Sequence, residues 1–430
     1  MADPASSLSA LLERLEAAAT ALAVERFGDK ARRHGEVAQA IRALSDRYIG
    51  RDEGGGVRDE ARLLAQLLFF TLADAPKSAF VVAELLRRGA LPAAVDRGRA
   101  VRVLDVGAGC GAQSLGVALA LASLADEGAD ADAADGDGGV SQAEDVPRRL
   151  EIDAVDADAE ALSLMRSLLA RVALPALEVE LRDEVADLLG PAPRGPGGRG
   201  PGGRGRGALG AVFGRRRYDL VVAGSVFAEL PAERHLELTR ALLGRLAPGG
   251  ALLIVEPALR ETARALHRLR DAVLAERAAY VFAPCTHGAA CPMLADERDW
   301  CHESRNYLGP PNLRQLASAS GLRRRQLKWS YLTLRRERGN VAASPDAARV
   351  VSEALRTKGK REVFVCCSAG RVRLTRLDRD RGAANEALRD LDRGRLVELS
   401  RPWEAERMRI DTETEVRVVD PAGSLERELP

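Results

Sequence analysis

The sequence predicts an α/β protein whose core is an open, largely parallel sheet. Short apolar runs of strand length recur between Val101 and Glu256, and Ala/Leu-rich stretches of helical length separate them. The first run ends in a glycine-rich turn at 107–111, and a later one follows Pro248 and two glycines. A strand that enters such a turn and then a helix is the repeating unit of these sheets.

Composition narrows the class of protein. The chain has 430 residues, 46% hydrophobic and 30% charged, which favours two or three domains and excludes a wholly disordered chain. No apolar stretch approaches the roughly 20 residues that a membrane helix needs. The first residues lack the basic and apolar regions of a secretory signal. A cytoplasmic location is therefore the expectation.

Changes in pattern along the chain predict four regions. In order, they are a helical domain (1–97), a sheet core (98–280), a cysteine-rich segment with the last strands of that sheet (281–375) and a small β-rich appendage (376–430). Two low-complexity insertions, at about 126–147 and 190–216, interrupt the core. Neither can bury enough apolar surface to fold, so both are expected to be disordered loops.

The strands are predicted from their apolar runs and flanking turns. After the run from Val101, they are expected at 152–156, 177–181, 218–223, 251–256, 327–334, 361–367, 396–399 and 416–419. Before Val101, leucines recur at helical spacing from Leu8 to Leu22, which predicts a helix there.

A nucleotide-type cofactor site is predicted where the first strands end. Glycines in the turn at 107–111 let the backbone approach a ligand, and the following helix directs its N-terminus towards it. Asp156 ends the second strand, where a carboxylate can accept hydrogen bonds from ribose hydroxyls. The predicted cofactor-binding residues are Asp105, Gly107, Gly109, Asp156, Asp183 and Ser225.

The segment from Val101 to Glu256 resembles the class I S-adenosylmethionine-dependent methyltransferase fold, a Rossmann-like sheet. That resemblance implies S-adenosylmethionine as the cofactor. A dinucleotide site is the alternative, but the third glycine of its GxGxxG spacing is absent. Residues 223–231 lack the Pro-Pro-aromatic element common in base-amine methyltransferases. The sequence therefore identifies no catalytic residue.

A second candidate site is a cluster of cysteines. Cys285, Cys291 and Cys301 lie in one short window together with His287 and His302. A strand-like run further along the chain supplies a cysteine pair at 366 and 367. Disulfides are disfavoured in a cytoplasmic chain, so clustered cysteines indicate a metal site. A tetrahedral zinc, with four thiolates or three and a histidine, and an iron–sulfur cluster both remain open.

The charge distribution predicts a polyanionic partner. The formal net charge is only +1, but residues 303–381 contain 19 basic and seven acidic residues. Within this region Arg323–Arg325, Lys328 and Arg335–Arg336 flank Trp329 and Tyr331. Base stacking and core packing both remain possible roles for the two aromatic residues.

Four motifs behind the methyltransferase-type core carry a family resemblance. They are Pro-Cys-x-His-x3-Cys-Pro from Pro284, Asp-Trp-Cys-His ending at His302, Trp-Ser-Tyr-Leu-Thr-Leu-Arg-Arg from Trp329, and Cys-Cys-x2-Gly from Cys366. Together they resemble the mitoribosomal small-subunit methyltransferase-like assembly factors and their bacterial relatives, over about residues 45–375. The two insertions and the tail after Thr375 depart from that family.

The resemblance implies a [4Fe–4S] cluster on Cys285, Cys291, Cys301 and one of the pair at 366 and 367. Adjacent strand residues point to opposite faces, so only one of that pair is expected to bind, and Cys366 is favoured by its place in Cys-x3-Gly370. The resemblance also implies binding to 16S-type rRNA while the small subunit matures, with no membrane or DNA partner expected.

Three functions are compatible with these observations. The first is an S-adenosylmethionine-binding, iron–sulfur assembly factor of the small ribosomal subunit. The second is an active rRNA methyltransferase with the same cofactors. The third is a methyltransferase of small molecules or proteins with a structural zinc site.

Overall fold

The structure is a computed structural model. It describes residues 7–48, 59–94, 96, 98–123, 148–174, 177–187, 212–322 and 325–419. The first predicted insertion lies outside these ranges, as does the second up to residue 211.

The core is a mixed sheet of eight strands, called here the main sheet. Its strands are β1 (Val101–Val106), β2 (Arg148–Asp156), β3 (Leu177–Val185), β4 (Tyr218–Gly224), β5 (Leu246–Pro257), β6 (Tyr280–Ala283), β7 (Glu303–Asn306) and β8 (Gln326–Arg335). Their order is β3-β2-β1-β4-β5-β8-β6, and β7 also pairs with β8. β1 to β5 are parallel, whereas β8 is antiparallel to β5. This order, with an antiparallel strand inserted beside the fifth, confirms the predicted class I methyltransferase-type fold.

The described ranges contain nine α-helices. They are α1 (Leu8–Phe27), α2 (His34–Tyr48), α3 (Asp59–Ala65), α4 (Thr71–Arg87), α5 (Ala112–Ser123), α6 (Ala159–Leu169), α7 (Ala232–Leu243), α8 (Arg260–Ala275) and α9 (Pro311–Ala319). The first four make up the predicted helical domain. No helix among these residues combines the length and apolarity needed to cross a membrane.

The helical domain packs directly on the main sheet. Adjacent β1 residues alternate between two cores, because Val103 joins the core shared with the helical domain and Leu104 joins the core on the opposite face. At the contact between α4 and α5, a methyl group on Gly116 would lie 2.3 Å from the carbonyl oxygen of Ala75. The two helices therefore approach more closely than any other residue would allow.

A second sheet is formed by the strands that follow β8 along the chain. Its strands are β9 (Ala348–Val350), β10 (Leu355–Thr357), β11 (Lys360–Cys367), β12 (Gly370–Leu377), β13 (Leu396–Leu399), β14 (Arg407–Arg409) and β15 (Val416–Val418). Their order is β14-β12-β11-β9-β13-β15, with β10 beside β11. This sheet has its own apolar core.

The predicted domain boundary at residue 375 is wrong. It falls inside β12, and the strand predicted at 361–367 belongs to the second sheet, not the main one. The main sheet ends with β8, and the second sheet begins with β9. The apolar pattern of β11 suits either sheet, so only its pairing partners decide its place.

A buried ion-pair network joins the two sheets to the helical domain. Arg349 of β9 contacts Glu84 of α4 at 2.8 Å and Glu303 of β7 at 3.7 Å. The side chains of Arg349 and Glu303 are only 5% and 4% exposed. Tyr331 of β8 donates its hydroxyl hydrogen bond to Glu84 at 3.0 Å. These contacts fix β9, and with it β11, against the main sheet.

Candidate functional site

The glycine-rich turn between β1 and α5 forms one wall of a large cavity. Gly107 and Gly109 adopt positive φ angles of 70° and 51°, which glycine reaches at little cost. A methyl group on Gly107 would lie 2.5 Å from Val226, whereas one on Gly109 would meet no atom within 4 Å. Gly109 therefore faces open space, where the backbone can approach a ligand.

Asp156 ends β2 beside this turn and lines the same cavity. One of its carboxylate oxygens accepts the N–H of Gly109 at 2.8 Å, and the other accepts the N–H of Asp158 at 2.8 Å. A carboxylate offers about four acceptor positions. The remaining positions can accept hydroxyl groups of a bound ligand.

The cavity, called here the glycine-turn cavity, has a volume of about 1520 Å³. It lies at the carboxyl ends of the parallel strands, which is where ligands bind in open α/β sheets. Ser225 follows β4 with a φ angle of 60°, and its N–H donates to the carbonyl of Val255 at 2.8 Å. A positive φ is strained for serine, and such strain clusters at ligand sites.

Two of the predicted cofactor residues do not line this cavity. Asp105 is buried behind the turn and accepts hydrogen bonds from the N–H and hydroxyl of Ser114. Asp183 lies inside β3, which is longer than predicted, and pairs with Arg166 at 2.6 Å. Asp187, beyond the end of β3, lines the cavity instead.

The helical domain supplies a wall that sequence reasoning missed. Asp74 and Lys77 of α4 form an ion pair at 2.6 Å and line the cavity, as does Arg47 of α2. Arg325 and Lys328 line it from the β8 side and are exposed. The sequence places these basic residues on separate elements, so no local pattern reveals that they meet.

A buried carboxyl group at the end of β5 supports the turn after β4. Glu256 accepts hydrogen bonds from the N–H groups of Phe227 and Ala228 at 2.9 and 3.1 Å. Burial raises the pKa of Glu256 to about 8. It is therefore largely protonated at neutral pH, and the sequence contains no signal of this.

Core packing is the role that the structure assigns to the two aromatic residues of β8. Trp329 is 1% exposed and stacks on Phe80 with ring centroids 6.0 Å apart. Tyr331 is 6% exposed and bonded to Glu84. Neither ring is accessible to a nucleotide base.

The basic residues near Trp329 and Tyr331 lie in different places and make different contacts. Arg335 and Arg336 donate to main-chain carbonyls in the first part of β5, at 3.1 and 2.8 Å. Arg323 and Arg324 lie outside the described residues. Of the described basic residues near these aromatics, Arg325 and Lys328 line the glycine-turn cavity.

The four predicted metal ligands line a second cavity, the cysteine cavity. Cys285, Cys291 and Cys301 come from the loop 285–301, called here the cysteine loop, and Cys366 comes from β11 of the second sheet. Three histidines, His267, His287 and His302, share the lining. Nε2 of His287 lies 3.3 Å from Sγ of Cys366.

The adjacent cysteines of β11 point to opposite faces. Cys366 lines the cysteine cavity, whereas Cys367 is 1% exposed and packs in the core of the second sheet. Of the pair, Cys366 is therefore the thiol placed with the other three.

Burial disfavours ionisation of these thiols. It raises the pKa of Cys291 to about 11 and that of Cys301 to about 12, and the neighbouring Cys285 raises both further. The pKa of Cys366 is also raised well above its ordinary value. A metal centre must therefore displace protons from them on binding.

The thiols as placed do not converge on a single point. Among the described residues, no group of three or more histidine, cysteine, aspartate or glutamate side chains has the geometry to hold one metal ion. The shared cavity nonetheless brings together thiols separated by 65 residues of chain between Cys301 and Cys366.

Part of the chain, including the cysteine cavity, matches a known protein family. Residues 204–397 match the family described as "Mitochondrial small ribosomal subunit Rsm22". The resemblance predicted from the sequence is thereby confirmed over this range, which contains all four thiols of the cysteine cavity. The chain is a methyltransferase-fold protein related to a small-ribosomal-subunit family. That it is a bacterial member stays a prediction.

Solved structures with similar folds include several methyltransferases. One is precorrin-6y C5,15-methyltransferase from Geobacter metallireducens GS-15, at 12% identity over 59% of this chain and 88% of that chain, with a TM-score of 0.29. Another is the plantazolicin methyltransferase BpumL in complex with SAH, at 11% identity over 72% and 100%, with a TM-score of 0.32. The fold class rests on the strand order, not on these likenesses. No curated protein matches the chain.

Asp105→Asn is expected to weaken the pH dependence of stability. Burial raises the pKa of Asp105 from 3.8 to about 7, so between these values the folded state holds a proton that the unfolded state has released. The unfolding free energy of the wild type then falls as pH rises through this window, by up to about 1.4 kcal/mol per pH unit. Asparagine lacks this proton but can keep the Ser114 hydrogen bonds.

Urea unfolding of both proteins from about pH 5 to pH 8 checks this prediction. The stability of the variant relative to the wild type should increase with pH up to about pH 7 and level off above it. Parallel curves for the two proteins would show that Asp105 does not titrate in this range.

Proposed function

We propose that this protein binds S-adenosylmethionine and acts in the cytoplasm with the small ribosomal subunit, contacting its 16S-type rRNA, with a [4Fe–4S] cluster in the cysteine cavity. The observation that carries the proposal is the meeting of four thiols from two distant segments beside a methyltransferase-type cavity. These thiols lie in the range that matches the small-subunit family.

The glycine-turn cavity has the features that S-adenosylmethionine requires. Gly109 leaves room for close approach, and Asp156 retains acceptor positions for the two ribose hydroxyls. S-adenosylmethionine supplies an electrophilic methyl group when bound. The residues of this chain orient the ligand, and Glu256 holds the turn at 227–229 that closes the cavity beside it.

The donor set of the cysteine cavity fits an iron–sulfur cluster. Zinc holds four thiolates on one point at about 2.3 Å each. In a [4Fe–4S] cluster each thiolate binds a different iron, so the sulfurs stay farther apart. Four thiols that line one cavity are compatible with the second arrangement.

Two further features favour an occupant of this cavity. Nδ1 of His287 and Nδ1 of His302 are buried without a hydrogen-bond partner among the described residues. A buried polar atom without a partner is costly, so such atoms often mark the site of a bound group. Cys285, Cys291, Cys301 and Cys366 would hold the cluster, which would tie the cysteine loop to the second sheet.

The rRNA contact is argued from the mouth of the glycine-turn cavity. Arg47, Arg325 and Lys328 are exposed there, on two sides of the opening. Phosphate groups of a polynucleotide are the ligands that such side chains bind, and the contact should depend strongly on salt.

Gly109→Ala is expected to weaken S-adenosylmethionine binding about tenfold or more, because its methyl group would enter the space meant for the ligand. Gly359→Ala is the matched control, since Gly359 also has a positive φ and no atom within 4 Å of the added methyl group. Calorimetric titration of both variants and the wild type makes the comparison. Equal losses in both variants would contradict a role for Gly109 in binding.

Anaerobic purification tests the cluster. The wild type is expected to carry iron and acid-labile sulfide in equal amounts, and Cys366→Ala is expected to lose most of both. Cys367→Ala is the control, because Cys367 lies on the opposite face of β11. A colourless wild type holding one zinc would overturn the cluster and favour a methyltransferase of small molecules or proteins with structural zinc.

Co-sedimentation with 30S subunits tests the ribosomal role. Replacing both Arg325 and Lys328 by alanine should weaken binding and reduce the salt dependence by about one unit of slope per side chain. Replacing Arg356 and Lys358, two exposed basic residues of the second sheet, changes the net charge equally and is the control. Absence of wild-type binding even at low salt would contradict the proposal.

A further inference from the structure

One polar face of α8 holds the cysteine loop in place. Nη1 of Arg264 donates to the carbonyl oxygens of Met293, Asp296 and Asp299, at 2.9, 2.6 and 2.8 Å. Arg264 is 8% exposed. One arginine thus satisfies three main-chain acceptors of a loop that has little regular structure of its own.

Two neighbouring side chains on the same face accept hydrogen bonds from the main-chain N–H groups of two of the cysteines. His267 accepts the N–H of Cys301 at 2.9 Å, and Asp271 accepts the N–H of Cys291 at 3.0 Å. Residues spaced three or four apart share one side of a helix. The face of α8 therefore acts as a template for the loop.

Arg270 of this face reaches the cavity, as His267 does. It donates to the carbonyl oxygens of His287 and Ala289, and it shares the lining of the cysteine cavity with Cys285. Its side chain is 3% exposed and lines the cysteine cavity, whereas Arg264 does not.

Of the two arginines that line the cavity, Arg270 has fewer carboxylate partners than Arg349. Arg349 also lines the cavity, but Glu84 and Glu303 bind it. Asp271 pairs with Arg270, yet its carboxylate also contacts the main-chain N–H of Cys291. Arg270 is thus a buried cation that lines the cavity together with the thiols.

We infer that Arg270 is a positioning residue whose buried charge beside the thiols raises the reduction potential of the centre bound in the cysteine cavity. This inference rests on the proposed iron–sulfur cluster. Reduction adds one negative charge to the cluster, and a nearby buried cation stabilises the reduced form. Hydrogen bonds to the sulfurs and local charge are among the factors that set the potential of such centres.

The test compares midpoint potentials of the purified holoprotein and three variants. Arg270→Gln removes the charge and is expected to shift the potential to more negative values by at least about 59 mV, a tenfold change in a one-electron equilibrium. Arg264→Gln removes three loop hydrogen bonds but no group lining the cavity. It is expected to lower the iron content without shifting the potential of the cluster that remains.

Arg270→Lys keeps the charge but cannot make both loop hydrogen bonds as a guanidinium does, so the charge is held less firmly beside the cavity. Its potential should lie between those of the wild type and Arg270→Gln, and it carries the test if the Gln variant loses the cluster. A wild-type potential in both Arg270 variants would overturn the inference. Where the Gln variant loses the cluster, a wild-type potential in Arg270→Lys would overturn it by itself. An equal shift in Arg264→Gln would also overturn it.

The same samples separate this inference from the proposed function. A wild type that holds zinc and no redox-active iron would overturn the cluster itself. An iron-loaded wild type with an unchanged potential in the Arg270 variants would overturn only the role of Arg270.

Discussion

The buried contact between Arg349 and the two carboxylates of Glu84 and Glu303 is the constraint on which the rest of the architecture depends. It binds the second sheet, the main sheet and the helical domain at one point. Removing one partner of such a buried network leaves an uncompensated charge, at a cost of about 3–5 kcal/mol. β9 pairs with β11, so the same contact sets the position of Cys366 relative to the cysteine loop.

The two cavities share structural elements. β8 contributes Lys328 to the glycine-turn cavity and Tyr331 to the cysteine cavity. α4 contributes Lys77 to the first and Glu84 to the network beside the second. A centre that holds the cysteine loop to β11 would therefore also support the wall against which a methyl donor binds. The two proposed ligands would thus be held by the same structural elements, although they occupy separate cavities.

The polar side chains of α8 show how a loop without regular structure is held. Arg264 and Arg270 satisfy main-chain carbonyls that would otherwise be buried without partners, which explains why two arginines are buried on one helix. Long guanidinium groups suit this task because each carries five donors. The arginine richness of the chain, in which only five of 64 basic residues are lysine, thus has a structural use at this site.

The sequence by itself determined the local elements and the cofactor turn. The apolar runs and the glycines at 107–111 are visible as local patterns, and Asp156 is recognised from its place at the end of such a run. The end of β3 was missed, and with it the place of Asp183, because the polar residues Arg182, Asp183 and Glu184 interrupt the apolar run on an edge strand.

Only the tertiary structure decided which sheet β11 joins, that Trp329 and Tyr331 are buried, and that Arg47 meets Lys328 across a cavity. The physical reason is that strand pairing, burial and convergence of charges depend on residues far apart in the chain. A local pattern contains no information about such partners.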